Sequence, residues 1–419
     1  MKVIAPSEVK GSVKAPPSKS ATIRAVAAAL LADGVSDIIN PSFCDDATAS
    51  LSIARALGGF FIRGKDRILM NGNRGFGRIA ERPDFIDCNE SGLCVRMFPP
   101  IAALTGHDCV IGGTGSLKRR TVAMVETLRR FGVECTTRRG YPPVSVHGRL
   151  KGSVADIDGS VSSQFLTGLL MALPLCDDTS EIFIENLVSK PYVEMTLAMA
   201  ENFGIVIDHD QDMRCFHIAG GQRYHAASVA VEADWSGASF LLVAGAIAGS
   251  VSVEGLAMNS CQADRAVLSA LDAAGAACHI DEGSVTVERK DLKPFEFDAK
   301  DCPDLVPPLV ALASHCPGKS TIYGTQRLRH KESDRAAALA LEFSRMGITV
   351  NVETDRIEIR GTRPGAATVD SHRDHRIVMA CAVAALQAGG HVTIAGPGCV
   401  RKSYGGFFHD LESIRSSHE

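Results

Sequence analysis

The chain has 419 residues, 45% of them hydrophobic and 22% charged, a globular composition that excludes the collagenous, disulfide-scaffold and disordered classes and is long enough for two or three domains. Lys plus Arg number 44 against 48 for Asp plus Glu, giving a net charge of -4, so no general field draws the chain toward nucleic acid or an anionic membrane. One Trp and five Tyr offer few platforms for stacked bases, and the thirteen Cys, with no pair at Cys-x-x-Cys spacing, read as reduced core residues rather than zinc ligands or disulfides.

The N-terminal MKVIAPSEVKG enters strand-like alternation with no apolar leader, so the expectation is a cytoplasmic chain, neither secreted nor anchored. Next comes an Ala-rich helix behind APPSKSATIR. Pro16 and Pro17 hold the approach extended, Ser18 or Ser20 caps the helix, and Lys19 and Arg24 lie beside its N-terminus. Exposed amides, the helix dipole and an adjacent Lys together make an anion site. Further on, GSVSSQFLTGLLM sets Ser162, Ser163 and Gln164 before an apolar helical run, and SKPY brings Ser189, Lys190 and Tyr192 into a turn.

Two later segments concentrate charge. RLRHKESDR, residues 327–335, packs Lys331, Glu332 and Arg335 into five positions; read as a helix, it puts Lys331 and Arg335 on one face where they share an anion. Charge runs are ordinarily solvated faces, but this one follows a predicted strand, where ligand loops tend to lie. In SHRDHRIVMACAVAAL, Asp374, His375 and Arg376 precede an apolar helix. His372 and His375 lack a third metal ligand, and a cation at a helix start suits an anion better than the dipole.

A period runs through the whole chain. Five helix-like segments end in an apolar residue, a Gly and a hydrophobic strand, at Gly58, Gly132, Gly204, Gly275 and Gly347, with intervals of 74, 72, 71 and 72 residues. A second series, an Ala-rich helix followed by a turn and a strand, carries Ile39, Ile111, Ile184, Val253, Ile322 and Ile394 at spacings of 72, 73, 69, 69 and 72. With DLESIRSSHE as the sixth capped helix, the chain reads as six α/β units of about 70 residues, grouped in two globular sets of three.

In order along the chain, PSKSATIRA, SGLCVR, VSSQFLTGLLM, SKPY, DCPD, LRHKESDR, DHR and VRKSYGGFF resemble the motifs of the enolpyruvyl transferases, in particular the family of 5-enolpyruvylshikimate-3-phosphate (EPSP) synthases. The resemblance implies an α/β (α+β) fold of two domains, each of three repeated units with helices inside and sheets outside. One domain is expected at residues 1–14 plus 230–419 and the other at 15–229, with the active site in the cleft between them. It implies enolpyruvyl transfer from phosphoenolpyruvate to the 5-hydroxyl of shikimate 3-phosphate by addition and elimination, in aromatic amino acid biosynthesis. The resemblance further implies that no metal, organic cofactor, nucleic acid or membrane takes part, that the chain is expected to act as a monomer, and that glyphosate mimics phosphoenolpyruvate in this family.

By the same resemblance, Asp304, Glu332 and Lys19 are catalytic. Shikimate 3-phosphate is expected on Lys19, Ser20, Arg24, Ser162, Ser163, Gln164, Ser189, Tyr192, Asp304 and Lys331. Phosphoenolpyruvate is expected on Lys19, Gly92, Arg120, Gln164, Glu332, Arg335, His375, Arg376 and Lys402. Arg96 joins the cations that offset the repulsion of two phosphates and a carboxylate in one cleft. Leu93, Thr121, Arg327 and Tyr404-Gly405-Gly406 depart from the commoner family pattern. Two alternatives remain. The sister transferase acting on a UDP-sugar has Asn after the Lys and a Cys in its mobile loop, whereas here Ser20 follows Lys19 and GSLKRRT has no Cys. A non-catalytic binder on the same scaffold would have lost Asp304, Glu332 or Lys19, and all three are present.

Overall fold

The computed structural model describes residues 1–72 and 84–416, so residues 417–419 of the expected last helix lie outside it. Six helices, Lys19–Leu31, Gly92–Ala103, Gln164–Ala172, Trp235–Ala248, Val306–Ser314 and His375–Ala384, begin at intervals of 73, 72, 71, 71 and 69 residues. Their sequences are rich in Ala, Leu and Val with no continuous polar face. Every residue of four of them is buried. A helix that is apolar all round has nothing to offer water, so it becomes interior.

Among the described residues the strands form six sheets, five of four strands and one of three. In each four-stranded sheet one edge pair is parallel and the other neighbours are antiparallel, as in Phe297↔Ile322↔Ile357↔Val352. Alternate residues are buried, as expected of a sheet with one face on the helices. The five glycines of the first periodic series all have positive φ, between +78° and +94°, a conformation that only a residue without Cβ adopts without strain. The segment before Gly132, Ala123–Phe131, is a 3-10 helix rather than an α-helix.

One member of the second series needs correction. Ile111, Ile184, Val253, Ile322 and Ile394 are buried and pair in parallel register with Ile86, Ile157, Val13, Phe297 and Val369. In the first sheet the residue in that register is Ile38, opposite Val229, whereas Ile39 is 38% exposed. Two adjacent isoleucines look alike to a count of spacings, but a one-residue slip reverses the face of a strand.

The chain divides into two units, Met1–Pro16 with Glu232–Glu419, and Pro17–Val231. Pairing explains why the division is discontinuous. Strand Lys2–Ile4 completes the sheet of Val392–Ala395, and Val9–Lys14 runs parallel to Gly249–Glu254. Strand Ser228–Ala230 returns to Val35–Ile39, closing the other unit on its own first sheet. Among the described residues no helix is long and apolar enough to cross a membrane.

The buried helices approach closely where a side chain is missing. A Cβ on Gly168 would lie 2.2 Å from the Met97 carbonyl oxygen, a backbone atom of the neighbouring helix that cannot rotate away. Gly168→Ala should therefore cost about 3 kcal/mol, the upper end of ordinary overpacking, and lower Tm by roughly 6–12 °C. Thermal unfolding checks this, and an unchanged Tm would show that the two helices part without penalty.

Candidate active site

Because the interiors of the six helices are apolar, their polar residues are confined to the ends, and the candidate site residues gather at the N-termini. There the unpaired N–H groups favour anions. In the unit Pro17–Val231 the first helix is capped by Ser18, whose Oγ accepts from the Ala21 N–H at 3.3 Å; Ser20 is thus released from capping. Lys19 Nζ sits 3.2 Å from Asp46 Oδ2, with the carboxylate only 5% exposed. Asp46 lies in the first turn of the helix Asp45–Ala56, and its role as a partner for Lys19 was not visible in the sequence.

Arg24 is 1% exposed and ties three helices together. It donates to Thr196 Oγ1 at 2.9 Å, Thr167 Oγ1 at 3.3 Å, the Tyr192 carbonyl at 3.1 Å and the Ser20 carbonyl at 3.0 Å. It thereby brings the starts carrying Ser20, the Ser-Ser-Gln segment and Tyr192 to one place. Ser189, the residue before the helix Lys190–Asn202, is held at φ +58°. Ser162 Oγ accepts from the Gln164 N–H at 3.2 Å, and Ser163 is the buried residue at the N-terminus of Gln164–Ala172.

A second tie is Arg96, which donates to Gln164 Oε1 at 2.8 Å and twice to the Thr121 carbonyl, at 2.9 and 2.7 Å. This fixes the end of the GSLKRRT loop beside the Ser-Ser-Gln helix. Arg120, 5% exposed, then lies over Gly92, where a Cβ would meet its guanidinium carbon at 3.4 Å. The absence of a side chain at Gly92 gives that guanidinium its room.

In the other unit the cluster centres on Asp304, one turn before the helix Val306–Ser314. Lys331 Nζ and Arg335 Nη1 reach its Oδ1 at 3.2 and 2.8 Å, and Arg376 Nη2 reaches its Oδ2 at 3.2 Å. Burial is the largest influence on this carboxyl and pushes its pKa up, but Arg376, Lys331 and Arg335 together outweigh it and hold the group well below the usual carboxylate range. Lys331 is drawn down to about 8, first by burial, against the attraction of Asp304.

Lys331 and Arg335 do not share a helical face as the i, i+4 spacing predicted. Lys331 is extended, following the 3-10 turn Gln326–His330, and the helix begins only at Arg335, capped by Asp334. The two cations meet by converging on Asp304 instead. Arg335 is fully buried; besides Asp304 it bonds Glu332 and, at 2.9 Å, Asp374 Oδ2. Asp374 is also wholly buried, caps the helix His375–Ala384 through the Arg376 N–H at 3.0 Å, and accepts from Ser333 Oγ at 3.1 Å.

His375 is fully buried behind Arg376, whose Nη1 it meets through Nε2 at 2.6 Å. It orients the guanidinium from inside. Arg376 also reaches Ser236 Oγ, at the start of Trp235–Ala248, a residue the sequence reading passed over. Lys402 is buried at the end of the 3-10 turn Pro397–Lys402, which packs on His375–Ala384. His372 Nε2 lies 2.6 Å from Glu342 Oε1, so the two DHR-segment histidines have separate partners. None of the thirteen cysteines is disulfide-bonded.

The two units, with their buried helices and polar helix starts, make a fold shared with enolpyruvyl transferases of solved structure. A solved structure of the enolpyruvyl transferase NikO from Streptomyces tendae is similar over 99% of this chain and 97% of its own, with TM-score 0.81 at 18% identity. A solved EPSP synthase from Acinetobacter baumannii covers 99% of this chain and 98% of its own, with TM-score 0.82 at 24% identity. The family model for EPSP synthase (3-phosphoshikimate 1-carboxyvinyltransferase) matches residues 3–411. A 3-phosphoshikimate 1-carboxyvinyltransferase from Methanocella arvoryzae is 39% identical over 422 residues, 99% of either chain. The chain belongs to the EPSP synthase family.

Proposed function

We propose that this chain transfers the enolpyruvyl group of phosphoenolpyruvate to the 5-hydroxyl of shikimate 3-phosphate, releasing inorganic phosphate. The observation that carries the reading beyond family membership is the convergence of Lys331, Arg335 and Arg376 on Asp304, with Glu332 held on the same guanidinium. Such a cluster suits a reaction in which anions arrive together and a hydroxyl and a carbon exchange protons.

In the addition step the 5-oxygen attacks C2 of the enol, Asp304 takes the hydroxyl proton, and Glu332 gives a proton to the methylene carbon. In the elimination step the C2–O bond to phosphate breaks, the methyl carbon returns a proton and the double bond re-forms. Lys19 offsets the charge on the anions. Asp304 is a poor base while three cations hold it; substrate anions that draw on Lys331 and Arg376 raise its basicity when both substrates are present. In this reading Ser20, Ser162, Ser163, Gln164, Ser189 and Tyr192 are ligands of shikimate 3-phosphate, and Arg120, Arg335, Arg376 and Lys402 are ligands of phosphoenolpyruvate.

The test is phosphate release with shikimate 3-phosphate plus phosphoenolpyruvate, compared with UDP-N-acetylglucosamine plus phosphoenolpyruvate. Release is expected only with the first pair, and turnover with the UDP-sugar instead would overturn the reading.

Lys331 supplies a pH prediction. Its pKa, drawn down to about 8 by burial, means that the cation is present below that pH and lost as pH rises through it. The KM for shikimate 3-phosphate should therefore climb above pH 8, by at most about tenfold per unit. Lys331→Arg keeps its charge throughout and should flatten the rise. Initial rates between pH 7 and 9.5 decide it, and a parent KM that stays level would remove Lys331 from phosphate binding.

A further inference from the structure

Asp264 lies in the short turn Ala263–Ala266 and is 1% exposed. The turn cannot drift away from the site, because the neighbouring Gln262 side chain clamps it to the next helix. Its Oε1 accepts from the Trp235 N–H at 3.0 Å, and its Nε2 donates to the Ala233 carbonyl at 2.7 Å. Asp264 is thereby pinned beside the start of Trp235–Ala248, where Ser236 accepts from Arg376.

Both carboxyl oxygens of Asp264 are buried with no hydrogen bond of ordinary length, the Ser236 hydroxyl being the side chain placed to donate to them, and Nε of Arg376 is buried without a hydrogen-bond partner. A buried donor left unsatisfied near a buried, weakly satisfied carboxyl carries a cost that native structures seldom leave in place without use. Asp264 and Arg376 are within electrostatic reach of each other.

We propose that Asp264 is a positioning residue that competes with the substrate's anionic group for Arg376: neutral, it leaves the guanidinium to phosphoenolpyruvate, and ionised, it captures the unused Nε–H and weakens substrate binding. The inference rests on the reading of Arg376 as a phosphoenolpyruvate ligand. The groups facing Asp264 fit this role. Burial and the nearby Asp304 raise its pKa to about 7, against Arg376 and Ser236, with Asp234 adding to the rise. Cys302, on the Asp304 side, is kept a neutral thiol by burial and by Asp264 itself. Asp304 in turn is engaged by Lys331, Arg335 and Arg376. Phosphoenolpyruvate adds negative charge and so favours the protonated Asp264; binding the anion and holding the proton are linked.

The test compares the full-length parent with Asp264→Asn, which mimics the neutral acid, in steady-state kinetics from pH 6 to 8.5. The substrate's own ionisation is common to both proteins and cancels in the ratio of their KM values for phosphoenolpyruvate. That parent-to-variant ratio should hold steady below pH 7 and rise by about tenfold by pH 8.5, while the corresponding ratio for shikimate 3-phosphate stays flat. A flat phosphoenolpyruvate ratio across the range overturns the proposal, since a merely structural Asp264 would change Tm and not the pH profile. If the Asn variant does not fold, Asp264→Ser, smaller and uncharged, is expected to give the same divergence. If the chain turns over no such substrate pair, the proposed function fails, and the inference is read separately from calorimetric binding of inorganic phosphate. Parent affinity that falls above pH 7 relative to the variant supports it; equal or absent binding in both overturns it.

Discussion

Glu332→Gln should lower turnover by a factor of about 10² or more, in the range of general acid–base groups, and leave the affinity for shikimate 3-phosphate little changed. The amide keeps the shape of the side chain and an oxygen that still accepts from Arg335, so the buried guanidinium retains its contacts with Asp304 and Asp374. What is lost is the ionisable proton. A fall in kcat and in kcat/KM for phosphoenolpyruvate by the same factor would mark an interaction made only in the transition state. Rapid-quench and steady-state rates with both substrates saturating check this. If the variant turns over at nearly the parent rate while product release is shown not to limit, Glu332 is not the donor to the methylene, and Lys19 becomes the leading candidate.

The period of about 70 residues was legible because each capped helix must end where the chain reverses, and a glycine at positive φ marks the place. The face of a strand was less legible where two isoleucines adjoin, as at Ile38 and Ile39, since only the sheet register distinguishes them. Cations were easy to single out in the sequence, but their carboxylate partners were not. Lys19 and Asp46 are 27 residues apart, and Arg335 and Asp374 are 39 apart; nothing local in DDATAS or SHRDHR says which cation each acid will meet. Asp264 was hidden for the same reason, in a QADR segment whose neighbours along the chain do not reveal the cluster it joins. Lys331 and Arg335 meet by a geometry the i, i+4 spacing does not give, because Asp334 starts a new helix between them and the meeting point is a third residue, Asp304.

Asp304→Asn should impair both turnover and binding, and the two losses have separate causes. Turnover should fall by about 10² to 10⁴, because the amide cannot take the proton of the 5-hydroxyl. Binding should weaken through Lys331. Its pKa is set by burial, which lowers it, against the attraction of Asp304, the largest influence in the other direction. With that attraction gone the ammonium loses its proton at a lower pH than the parent's value near 8, so at neutral pH part of the population lacks the cation that meets the phosphate. The KM for shikimate 3-phosphate should therefore be higher by up to about tenfold at pH 7.5, and its rise with pH should begin earlier than in the parent. Phosphoenolpyruvate should respond in the opposite sense. Arg335 and Arg376 are no longer neutralised by the carboxylate they share, so their charge acts more fully on the incoming anion and its KM should not rise. Kinetics of the parent and variant from pH 6 to 9, with each substrate varied in turn, separate these effects. A variant with reduced kcat but an unshifted pH profile for shikimate 3-phosphate would leave Asp304 as the base and break its link to Lys331; a variant with parent kcat would end the assignment of Asp304 as the base altogether.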